Sequence, residues 1–78
     1  MDYDFQIDAV LTRLNGLVAN GAFPQLERET FARLARRAKD GDANLLRLFN
    51  RVIDLPNNAR DGVFIAAVRS IIAESPTS

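Results

Sequence analysis

The stretch Asp42-Ala43-Asn44-Leu45-Leu46-Arg47-Leu48-Phe49-Asn50-Arg51-Val52-Ile53-Asp54 decides the fold class. On a wheel of about 100° per residue, Leu45, Leu46, Leu48, Phe49, Val52 and Ile53 cover one half of the circumference. Arg47, Asn50, Arg51 and Asp54 share the other half. An apolar half set against a polar half at helical period is the pattern of a helix laid on a core. Asp42 stands just before the first apolar position, where a carboxylate accepts from the free N–H groups of a first turn. The spacing predicts a helix over 43–54, the most sharply amphipathic in the chain.

Working outward towards the N-terminus, Asp40-Gly41 separates this segment from a second periodic stretch over 24–40. Pro24 suits a first helical turn, Glu27 and Glu29 follow at the dipole-positive end, and Arg36, Arg37 and Lys39 gather at the negative end. Leu26, Thr30, Phe31, Leu34, Ala35 and Ala38 form the inward stripe, and Glu29 and Arg33 are spaced for an ion pair. Asn20-Gly21 ends an earlier helix over 4–19, with Tyr3, Ile7, Val10, Leu14 and Leu17 as its stripe, Leu11 and Val18 widening it, and Asp2 and Asp4 at its start. Phe5 points off that stripe, and Gly16 lies inside the helix at a cost of about 1 kcal/mol relative to alanine.

Towards the C-terminus, Leu55-Pro56-Asn57-Asn58 breaks the pattern. A fourth helix over 59–74 follows, with Asn57, Asn58 and Asp61 each able to cap it, and Ser75-Pro76 after it. Phe64, Ala67, Val68, Ile71 and Ile72 make its strong face, while Val63, Ile65, Ala66 and Ala73 extend apolar character around most of its girth. No segment alternates at period two with β-branched enrichment, so no strand is predicted. The expected fold is all-α: a compact bundle of four short helices in a single domain spanning 1–78, mostly antiparallel neighbours.

Composition narrows function by exclusion. The 78 residues contain no cysteine, histidine or tryptophan, and ten basic side chains balance ten acidic ones. An apolar share of 47% with 26% charged residues is that of an ordinary soluble globular protein rather than a disordered chain. The longest apolar run, Val63 to Val68, is far short of the roughly 20 residues that span a bilayer. The acidic start Met1-Asp2-Tyr3-Asp4 is unlike the basic start of an export signal, so a cytoplasmic location is expected.

Asp40-Gly41-Asp42-Ala43-Asn44 opens like a calcium-binding loop, but the sixth and twelfth positions of that loop fall on Leu45 and Arg51. An arginine cannot replace the bidentate carboxylate, and the segment reads instead as a glycine C-cap followed by an aspartate N-cap. No histidine is present to activate Ser70, and the four glycines are isolated, so no phosphate loop forms. The expectation is a protein that is not an enzyme and uses no cofactor, metal or small-molecule substrate.

What remains is binding. Arg33, Arg36 and Arg37 lie on one face of the second helix, and Arg47 and Arg51 on the polar half of the third. Phe5, with Ala9, Thr12 and Gly16 beside it, and Val63 and Ile65 add apolar surface beyond one small core. The first reading is a protein–protein interaction module, a small adaptor, inhibitor or chaperone-like regulator. It would act through the apolar face and an adjacent arginine stripe on a protein partner or on a second copy, as a homodimer. The alternative is a DNA- or RNA-associated regulator using the basic face of helices two and three. Zero net charge, and only Asn44 and Asn50 to read base edges on the third helix, weigh against it. The competing structural account makes the arginines a solvated face and Phe5 a cap on the bundle end. For the core, Leu48→Ala or Phe49→Ala is expected to cost about 2–5 kcal/mol.

Overall fold

A computed structural model describes residues 3–75, so the helix-start role expected of Asp2 and the closing role of Pro76 lie outside the described residues. Four helices form: α1 (Tyr3–Ala19), α2 (Gln25–Lys39), α3 (Ala43–Ile53) and α4 (Asp61–Glu74), with no strand among the described residues. The fold is all-α.

Local chemistry explains the boundaries. Gly21 and Gly41 have φ of 77° and 107°, the left-handed region that glycine enters without a Cβ clash. Around Gly21, its own N–H donates to Val18 O and that of Ala22 to Leu17 O; around Gly41, the same pair runs to Ala38 O and from Asp42 N–H to Arg37 O. Both are Schellman closures, which satisfy the last carbonyls of α1 and α2. Asp42 then accepts from Leu45 N–H at 3.2 Å, so one three-residue turn ends α2 and starts α3.

Two starts fall later than the sequence reading places them. Pro24 is extended (φ −69°, ψ 139°) and precedes α2 rather than opening it. The fourth helix begins at Asp61 rather than 59, because Ala59 N–H closes a turn onto Pro56 O and Arg60 takes the N-cap position without a side-chain cap. Asn57 and Asn58 lie in that turn.

The core centres on α2 and α3. The Phe31 and Phe49 rings stack at 4.9 Å between centroids and 22° between planes, and both are fully buried. Ile7 and Leu14 from α1, Leu45 from α3, and Val68 and Ile71 from α4 close around them. Three placements differ from the expected stripes. Leu26 is 77% exposed, because it stands about 140° around the helix from Phe31 and no neighbouring helix covers that side. Thr30 and Leu48 are half-buried at the edges of their stripes. Phe23, in the α1–α2 connection, is buried, with the Arg69 guanidinium 5.2 Å from its ring.

The arrangement is flattened, with extents of 31 × 27 × 17 Å. α2 and α3 pack on each other, α1 packs on both, α4 packs on both, and α1 and α4 do not pack together. Lys39 at the end of α2 reaches Asp8 near the start of α1 at 2.8 Å, so these helices run antiparallel. The α3–α4 pair is different. Arg51 and Glu74, in the last turns of both, pair at 2.6 Å. In an antiparallel hairpin Arg51 would face the first turn of α4, about 15 Å of helix rise short of Glu74. α4 therefore crosses α3, which the long connection from Asp54 to Arg60 allows.

Candidate partner-binding surfaces

The gap between α1 and α4 becomes a groove of about 300 Å³. Phe5, Ala9 and Val10 of α1 form one wall, Val52 and Ile53 of α3 the base, and Leu55 and Pro56 of the connection the other wall. Phe5 stands at its edge, 74% exposed. Arg13 spans the gap that the helices leave. Its guanidinium donates to Ala59 O at 2.6 Å and to Asp61 Oδ1 at 3.1 Å, and lies 4.4 Å from the centre of the Phe64 ring. The guanidinium thus pairs with the Asp61 carboxylate, satisfies the Ala59 carbonyl and covers an aromatic face at once.

The expected apolar residues are not all brought together. Phe5 lines the groove; Val63 is about half exposed but does not line it. Ile65 is half-buried against the core, so it packs within the fold more than it faces solvent. Leu55, Pro56 and Arg13 were not singled out by the sequence reading. The first two carry only a breaker signal there, and nothing local marks Arg13 for a partner 48 positions away.

The arginines are also divided. Arg33, Arg36 and Arg37 surround a shallow depression of about 400 Å³ floored by Ala32 on the outer face of α2. The predicted Glu29–Arg33 ion pair does not form: Glu29 accepts from Gln25 Nε2 at 3.2 Å, and Arg33 donates to Thr30 Oγ1 at 3.4 Å. Arg37 reaches Asp42 at 3.3 Å. Arg36 and Arg47 are exposed and pair with no carboxylate among the described residues.

Arg51 is engaged most fully. Its two terminal nitrogens donate to both Glu74 oxygens, at 2.6 and 2.9 Å, and one also donates to Ser70 Oγ at 2.7 Å. This bidentate geometry holds the Glu74 carboxyl below its ordinary pKa and raises that of Arg51, chiefly through the hydrogen bonds. The hydrogen bond from Lys39 to Asp8 likewise raises the lysine. The groove and the α2 depression have no residue in common: the first is lined from α1, α3, the α3–α4 connection and Phe64, the second from α2 alone.

No helix of the described residues is long and apolar enough to cross a membrane. Comparison with known protein families, curated proteins and solved structures finds no match for this chain.

Proposed function

We propose that this chain is a non-enzymatic protein–protein interaction module, a small cytoplasmic adaptor, inhibitor or chaperone-like regulator. The observation that carries the reading is Phe5, a large aromatic left 74% exposed beside a groove of mixed lining, in which Val52, Ile53, Leu55 and Pro56 stand with Gln6, Arg13 and Asn57. A partner's side chain seated between Phe5 and Leu55-Pro56 would remove apolar surface from water on both sides, the main source of affinity in such contacts. The occupant is either another protein or a second copy of the chain in a homodimer.

The test compares the wild-type chain with Phe5→Asp as baits for partner identification, alongside sedimentation of each for self-association. Species held by the wild type and lost by Phe5→Asp, or a dimer that the variant dissolves, support the groove. Identical recovery and identical mass for both chains overturn it. Phe5 belongs neither to the core nor to the partly buried residues packed against it, so the variant is expected to keep its fold.

The alternative, a DNA- or RNA-associated regulator, draws on Arg33, Arg36 and Arg47. It loses Arg51 to Glu74 and part of Arg37 to Asp42. Binding of a duplex or single strand that falls steeply with salt would favour it, because phosphate contacts release counterions.

A further inference from the structure

We infer that the outer face of α2 is a second docking surface, shaped for an acidic amphipathic helix of a partner protein. The inference rests on reading the chain as a protein-binding module and names the chemistry of one partner element.

Leu26, Thr30, Arg33 and Arg37 follow one another at steps of four, three and four. That spacing lines side chains along one helix face and is the period on which two helices pair. Leu26 is 77% exposed and Arg33 and Arg37 are exposed, with only Thr30 of the seam half-buried. The Thr30 hydroxyl is already turned inward, donating to Leu26 O at 3.2 Å.

Charge selects the occupant. Arg36 flanks the seam, and Arg33 and Arg36 have no carboxylate partner among the described residues, as is also true of Arg28, Arg47 and Arg60, whereas Arg13, Arg37, Lys39, Arg51 and Arg69 are each tied to one. Of the acids on α2, Glu27 is neutralised by Arg69, while Glu29 is hydrogen-bonded only to the uncharged Gln25 amide and keeps its charge. A chain of zero net charge thus leaves Arg33 and Arg36 without a carboxylate on one helix, with Arg37 weakly held at 3.3 Å and the apolar Leu26 two turns from Arg33. An acidic helix with an apolar stripe matches both features: its carboxylates meet Arg33 and Arg36, and its apolar residue covers Leu26. A nucleic acid would match only the arginines and leave Leu26 in water.

The probe is a fluorescein-labelled helical peptide of about 20 residues carrying leucine and glutamate at matching spacing. A lysine version of it, an oligothymidylate and a duplex serve as controls, all read by anisotropy at low salt. The glutamate peptide is expected to bind, with affinity falling about tenfold in Arg33→Glu/Arg36→Glu and about threefold in Leu26→Ser. Phe5→Asp should bind it as the wild type does.

Unchanged affinity in the double charge reversal overturns the inference. So does failure of the glutamate peptide to bind, or tighter binding of either nucleic acid. If the peptide fails while wild-type partners still depend on Phe5, the α2 surface falls and the groove reading stands. If the peptide binds and Phe5 proves irrelevant, the α2 surface stands and the groove falls.

Discussion

The α2–α3 pair and the α1–α4 pair are built by different means. α2 and α3 meet through stacked, fully buried phenylalanines and a three-residue turn in which Gly41 closes one helix and Asp42 opens the next. Among the described residues α1 and α4 do not pack together, and the Arg13 side chain reaches across the gap to Ala59, Asp61 and the Phe64 ring. The central pair stores stability in apolar burial and in caps encoded within a few residues. The outer pair leaves a groove, and the polar contacts that tie these helices to the rest of the fold are exposed or partly exposed ion pairs of small individual worth. The stable part of the molecule thus lies beneath the parts available to partners.

The largest break in that contrast comes from Phe49→Ala. Losing a fully buried ring from the stack should cost about 3–5 kcal/mol. A chain of 78 residues has only about 4–12 kcal/mol in all, so a urea melt should show a fold close to collapse. Leu48→Ala, one residue away but half-buried, should cost about 1–2 kcal/mol. Equal losses would mean that the stack is not the centre of the core.

Asp42→Ala sharpens the contrast at the turn. It removes the hydrogen bond to Leu45 N–H and should cost about 1 kcal/mol, read from the same melts. No loss would show that the Gly41 closure alone holds the α2–α3 junction.

The smallest effect lies on the outer pair and appears only in acid. Glu74 has its folded pKa below the unfolded value because Arg51 donates to it. Its contribution is therefore present above the ordinary carboxylate value of about 4.5 and is lost as pH falls through the depressed one. Glu74→Gln should lower the melting temperature slightly at neutral pH and flatten its decline below about pH 4.5. An identical acid slope in both proteins would show that the pair does not form in solution.

Much of the fold was legible because it is written in short-range signals. The stripe of α3, the glycine closures after α1 and α2 and the Asp42 cap each depend on residues a few positions apart. Legibility failed where a helix edge needed a neighbour to define it. Leu26 reads as core by hydrophobicity alone, yet no helix comes to cover it; Ile65 reads as spare surface, yet it packs on the core. The start of α4 was ambiguous because its N-cap, Arg60, carries no capping side chain and hence no signature. Among the proposed surfaces, Phe5 was visible as a departure from the stripe of its helix and the arginines of α2 as a basic cluster on one face.

The sequence by itself determined that there are four helices, where three of them end, and which face of each carries most of the apolar weight. Propensity, capping and periodicity act within a turn or two and need no distant partner. Only the tertiary structure decided that α4 crosses α3, that α1 and α4 stand apart with a groove between them, and that Arg51 is tied to Glu74 while Arg33 and Arg36 face solvent. Those outcomes depend on how helices of unequal length pack around two stacked rings, and therefore on contacts between residues 18 to 48 positions apart that no local pattern encodes.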